Sequence, residues 1–124
     1  MVPKGELAIQ TLAMPAHTNP GGDIFGGWLV SKMDLAAGVM AKRVIGGRAV
    51  TVSIHTMNFL KPVHIGNLVS CYVKLVKIGK TSVTIDVEVW TEDLSSAKKN
   101  KVTEGTFVFV AIDAHGKSRE ISRQ

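Results

Sequence analysis

The residues best suited to do chemistry crowd into one stretch, Asn19-Pro20-Gly21-Gly22-Asp23-Ile24-Phe25-Gly26-Gly27-Trp28. Without a Cβ, Gly21, Gly22, Gly26 and Gly27 let backbone come close to a ligand. An apolar periodic run follows, so the stretch is predicted to open a helix. Such a terminus presents unpaired N–H groups and the positive end of the helix dipole. That combination suits an anion, or an oxygen that becomes anionic in a transition state. The same glycines would also serve a plain turn into the helix, and spacing alone weighs the two readings equally.

Asp34 tips the balance. It falls about two turns into the predicted helix, at the shoulder of the apolar stripe near Val30 and Ala41, with Gly27 and Gly38 adjacent. A carboxylate in such a place is costly unless it is paired, solvated or used. Used, it would be a general base or a nucleophile beside an oxyanion-stabilising helix terminus.

The remaining candidates are thinner. His17, His55, His64 and His115 form no i, i+4 ligand pair and no HExxH pattern, so no metal is assigned. His17 is near enough to the glycine loop to touch a ligand, and His55 alternates to the polar side of its strand. No Walker loop, dinucleotide fingerprint or G-x-S-x-G elbow is present. Apart from Lys98, Lys99 and Lys101 the basic residues are scattered, and Tyr72 is the only tyrosine. That is a poor stacking surface for single strands, and no second helix supports a helix-turn-helix, so nucleic acid is not an expected partner.

Positioning these groups requires a helix and a sheet. From Phe25 to about Ile45 the apolar residues Leu29, Met33, Ala36, Ala37, Met40 and Val44 recur at helical spacing, with Lys32, Lys42 and Arg43 on the other side. Asp23 reads as the N-cap, and Gly46-Gly47 as the stop. The period then becomes two. Val50, Val52 and Ile54 alternate with Thr51, Ser53 and His55; Val69, Cys71, Val73 and Leu75 with Ser70, Tyr72 and Lys74. Val83, Ile85, Val87 and Val89 alternate with Thr84, Asp86, Glu88 and Trp90. A short strand near Leu7–Met14 and a last one from about Val102 to Ile112 complete the set. The polar run Thr91–Lys101 is expected to be the longest loop, and the tail after Ser118 to fray. Tight turns between long strands imply antiparallel pairing. The fold class is α+β, one helix wrapped by a curved antiparallel sheet.

Composition bounds the rest. A chain of 124 residues makes one domain, and 45% hydrophobic against 20% charged residues excludes disorder. The single Cys71 can close no internal disulfide and build no cysteine zinc site. The net charge of +5 is compatible with a phosphate-bearing small molecule without selecting it. The first ten residues lack the apolar core of a signal peptide, and no run approaches a membrane span, so a soluble cytoplasmic protein is expected.

Taken in order, these residues resemble the hotdog-fold acyl-CoA thioesterases of the YciA type. The likeness runs through Leu12-Ala13-Met14-Pro15, Thr18-Asn19, Gly22-Asp23-Ile24-Phe25-Gly26-Gly27-Trp28 and Met33-Asp34-Leu35-Ala36. It continues with Thr51-Val52, Met57-Asn58-Phe59-Leu60-Lys61-Pro62-Val63, Gly66-Asn67, Cys71-Tyr72, Thr81-Ser82 and Val87-Glu88-Val89-Trp90. The resemblance implies hydrolysis of acyl-CoA to free CoA and a carboxylic acid, at a site between two subunits. No cofactor is implied beyond the CoA of the substrate. Asp34 matches the catalytic acid, with general-base action favoured over direct attack. Asn19 matches the loop residue that orients the thioester or water from the facing subunit, and Gly26 and Gly27 supply N–H groups to the thioester oxygen. Thr51 would assist the water. Asn58, Lys61 and Pro62 would follow the pantetheine and phosphates, with His17 and Phe25 at the substrate mouth. A homodimer is the minimum assembly implied, and a hexamer built as a trimer of dimers the fuller one. Two alternatives compete. A non-catalytic acyl-CoA sensor would not need Asp34; a dehydratase on this fold would want a catalytic His paired with an acid, and no His lies on the helix or its mouth.

Overall fold

A computed structural model describes residues 2–122. Helix α1 covers Gly26–Ile45, as the apolar spacing predicts. Leu29, Met33, Ala36 and Ala37 are buried on it, joined by Trp28, Ala41 and Ile45, while Met40 and Val44 pack half-buried against the same core. Gly46 ends the helix in the left-handed region at φ 75°, its N–H returning to the Lys42 carbonyl. The other end departs from expectation. Phe25, not Asp23, holds the cap position, and no side chain caps the helix. An antiparallel bridge between Thr18 and Ile24 and a bond from the Phe25 N–H to the His17 carbonyl keep these residues extended, which displaces the helix start beyond Asp23.

Five strands, β1 (Glu6–Leu12), β2 (Ala49–Phe59), β3 (Leu68–Ile78), β4 (Ser82–Asp93) and β5 (Lys98–Ala111), form one sheet in the order β1-β3-β4-β5-β2. Every neighbouring pair is antiparallel. Helix α1 crosses the central strand β4 and touches all the others. This is the helix-on-sheet architecture of the hotdog fold. The core lies between the two layers: Val83, Ile85, Val87 and Val89 of β4, Val69, Cys71 and Val73 of β3, and Phe107 and Phe109 of β5 are all buried there. Full burial of each such apolar side chain contributes about 1.5–3 kcal/mol. The Cys71 thiol belongs to this layer, and burial pushes its pKa up to about 12.

Three details correct the sequence reading. The polar run 91–101 is not a long loop: β4 and β5 extend into it, leaving only Leu94–Ala97 as the turn. Opposite charges face each other across the hairpin, Glu92 to Lys99 and Asp93 to Lys98, so its polar residues sit in a strand pair. The tail does not fray at Ser118. Arg119 donates its N–H to Ala111, Ile121 donates to Lys80, and the Ile121 side chain is buried; only residues 123–124 of that tail lie outside the described residues. Finally, β2 does not alternate cleanly. Its pairing with β5 slips between Thr51 and Ser53 and again between His55 and Asn58, where Thr56 takes a positive φ of 50°. Thr51, ahead of the first slip, lies opposite buried Phe109, and the slip brings Ile54 opposite buried Phe107, so both are on the helix-facing side. Val50, opposite Val110, faces away.

Candidate active site

The chain between β1 and α1 is a closed loop on a stem. Asn19 donates its N–H to the Asp23 carbonyl at 2.7 Å, Gly22 donates to the Asn19 carbonyl, and the Asp23 N–H donates to Asn19 Oδ1 at 3.2 Å. With Oδ1 engaged by the Asp23 N–H, the hydrogen-bonding capacity left to the Asn19 amide lies mainly in its NH₂ donors, which suit an acceptor such as a carbonyl oxygen. The amide orientation is assigned from that hydrogen bond. The loop leads into α1, whose uncapped first turn leaves the N–H groups of Gly26 and Gly27 without a side-chain partner. A side-chain oxygen at the cap would have competed for these donors.

Gly26 borders a cleft of about 350 Å³ that it shares with Ile24, Leu29, Phe59 and the segment Leu60–Val63. A Cβ at Gly26 would stand 3.2 Å from the Phe59 ring, close enough that the ring would have to shift by a few tenths of an ångström. At Gly27 the nearest ring, that of Phe25, is at an ordinary 3.5 Å. Lys61 and Pro62 border this cleft and also a neighbouring polar one of about 290 Å³, with His64, Lys98 and Asn100. Lys61 Nζ donates to Asn100 Oδ1 at 3.2 Å. Gly26, Lys61 and Pro62 are thus brought together. Asn58 is not among them. It pairs opposite Glu104 on the face turned away from α1, where its amide donates to the Thr56 carbonyl and to Glu104 Oε2. Lys101 holds Glu104 at 2.8 Å, which lowers the Glu104 pKa and raises that of Lys101.

Asp34 is half-buried on α1, and its Oδ1 accepts a hydrogen bond from Thr51 Oγ1 at 2.6 Å. This links the helix to β2, at a residue that precedes the first slip of that strand. No cation pairs with Asp34 among the described residues. Asp34 follows Gly26 by eight residues, about 12 Å along the helix axis. One chain therefore keeps its carboxylate out of hydrogen-bonding reach of its own helix mouth.

Two histidine contacts were not foreseen. The His17 ring stacks on Trp28 in the first turn of α1, with centroids 4.6 Å apart. Its Nδ1 accepts the Met14 N–H, and Lys32 Nζ lies 5.6 Å from the Trp28 centroid. A histidine does therefore reach the helix mouth, contrary to expectation, though with no carboxylate partner among the described residues. His64 Nδ1 lies 3.4 Å from Asp23 Oδ1, with both side chains at least half exposed; solvent screens such a pair to little energetic weight. No group of three His, Cys, Asp or Glu side chains converges to hold a metal among the described residues.

The thioesterase superfamily pattern matches residues 21–98, a span holding the helix mouth, Asp34, Thr51 and the whole lining of the apolar cleft. The acyl-CoA thioester hydrolase YciA of Salmonella typhimurium is 48% identical over 125 residues, covering 98% of this chain and 94% of its own. A hexameric thioesterase from Yersinia pestis superposes with a TM-score of 0.95 at 47% identity, covering 99% of this chain and 100% of that one. A hexameric hotdog-fold thioesterase of Campylobacter jejuni gives 0.88 at 39% identity, over 95% of this chain and 91% of that one.

Proposed function

The chain belongs to the thioesterase superfamily and is an acyl-CoA thioester hydrolase of the YciA type, and from that premise we propose how its residues divide the work. Asp34 acts as the general base that takes a proton from water as the water attacks the thioester carbonyl. The C–S bond then breaks, and the proton goes to the departing CoA sulfur. Thr51 holds the carboxylate through its 2.6 Å hydrogen bond. The free N–H groups of Gly26 and Gly27, with the Asn19 amide, donate to the carbonyl oxygen as it becomes anionic, where preorganised donors are worth most. No resident cofactor is required; CoA arrives as part of the substrate.

The separation of Asp34 from Gly26 along one helix is the observation that carries the shared-site reading. A two-fold related copy can bring its Asp34 to the other copy's helix mouth, so the catalytic unit is a homodimer at least. Strand β2 is a sheet edge, and its Val50, Val52 and Ile54 are 41%, 54% and 42% exposed in the isolated chain, which supports a partner along that edge. The hexameric neighbours support a trimer of dimers. Lys61 and Pro62, at the junction of the apolar and the polar cleft, suit a ligand with an apolar arm and charged phosphates, as acyl-CoA has. Phe25 and His17 flank the mouth. Asn58, turned to the far face, would reach substrate only from a neighbouring subunit. The whole chain acts as a single domain. None of the described helices is long and apolar enough to cross a membrane, and the reading places the enzyme in the cytoplasm.

The deciding assay is release of free thiol from a panel of acyl-CoAs, wild type against Asp34→Ala. Hydrolysis should fall by on the order of 10²-fold or more in the variant. Unchanged turnover would remove Asp34 from the mechanism. Tight acyl-CoA binding without turnover in either protein would favour the sensor reading.

A further inference from the structure

We propose that His17 is a positioning residue: by clamping the stem of the 18–24 loop onto Trp28, it sets where Asn19 stands. The proposal rests on the reading of Asn19 as a catalytic donor. Three contacts converge on His17. Its ring lies on Trp28 at 4.6 Å with 23° between the planes, its Nδ1 accepts the Met14 N–H at 3.2 Å, and its carbonyl accepts the Phe25 N–H at 3.1 Å. The last bond closes the base of the loop, and the Thr18–Ile24 bridge and the Asn19–Asp23 bond stand directly on it. Trp28 is a firm anchor, 7% exposed, in the first turn of the helix that carries Asp34.

Among the contacts at the stem, the ring stack is the one that ties the loop's N-terminal arm to a helical side chain. Freed from Trp28, the stem can shift, and Asn19 is only two residues away. Displacements on the order of 1 Å at a reacting group can cost up to about 10²-fold in rate. A ring contact that served stability alone would lower the melting temperature and leave kcat untouched. A positioning contact lowers kcat more than it raises KM, because most of the lining of the clefts that take the substrate's arm and phosphates comes from Leu29, the 59–63 segment and the β4–β5 hairpin, with only Asp23 and Ile24 of the loop bordering the first.

The experiment measures kcat and KM for thiol release by the full chain, carrying His17→Ala, His17→Asn, His17→Phe, Asn19→Ala or both alanine changes. His17→Ala and His17→Asn should lower kcat about tenfold with KM within about twofold, while His17→Phe, which keeps the stack, recovers most of kcat. Adding His17→Ala to Asn19→Ala should cost nothing further, because the two act as one unit. Losses that multiply in the double variant, or wild-type kcat in His17→Asn, overturn the positioning role while the Asn19 reading stands. Wild-type kcat in Asn19→Ala overturns that reading itself. If His17→Ala fails to fold, His17→Asn and His17→Phe carry the comparison.

Discussion

The Thr51 hydroxyl donates across 2.6 Å to Asp34 Oδ1, so the single acidic residue of α1 is held by a strand seventeen positions further along the chain. A hydrogen bond to a charged acceptor contributes about 1.5–3 kcal/mol when it is fully made. If this one orients the base, Thr51→Val should lower kcat on the order of tenfold with little change in KM, and Thr51→Ser should restore it. Steady-state thiol release on the three proteins decides it; wild-type kcat in Thr51→Val would leave the hydroxyl a packing contact only.

A shared site makes a prediction that no single-chain site can imitate. Asn19→Ala and Asp34→Ala chains are each impaired alone. Mixed and reassembled, half of the dimers pair the two kinds, and in those one of the two sites draws Asn19 and Asp34 from the unaltered positions. Activity should rise to about a quarter of wild type, as isologous two-fold pairing requires. Mixtures no more active than their components would place both residues in one chain's site.

Cys71 sets a limit on alkaline stability. With its thiol pKa at about 12 in the fold and about 8.5 in an unfolded chain, both states are protonated below pH 8. Between those values the unfolded state releases the proton and the native state keeps it, so stability falls as pH rises, by about 1.4 kcal/mol per pH unit. Cys71→Val should remove that slope. Urea unfolding of both proteins at pH 8 and pH 10.5 checks it; an equal loss in the two would exonerate the thiol. The native thiol should also resist a thiol-specific reagent at pH 8 until denaturant is added.

The helix and the inward faces of β3 and β4 were legible because their apolar periods run unbroken into the structure: Leu29, Met33, Ala36 and Ala37 on one, Val83 to Val89 on another. Strand β2 misled because alternation assumes regular pairing. Each slip adds an unpaired residue, and Val50 and Ile54, which look like one face, end on opposite faces. The 91–101 run misled because a hairpin stitched by charge pairs has the composition of a loop. In the site, Asp34 declared itself as a carboxylate at the edge of an apolar stripe. The resemblance supplied Asn19 and Thr51, but the Thr51 bond to Asp34, the engaged Asn19 oxygen and the His17 stack on Trp28 each join distant or aperiodic positions. No spacing rule registers such contacts.

The two slips in β2 also bear on solubility. An open strand edge with exposed valine and isoleucine is a template that any extended chain could extend. An edge bent at Thr51–Ser53 and again at Thr56 offers no straight ladder of the length needed for indiscriminate pairing. A second copy running antiparallel, as in the proposed dimer, would bring a strand that carries the same bends. In the proposed dimer the bulges would act as the wards of a lock, favouring the edge's own kind over an arbitrary extended chain.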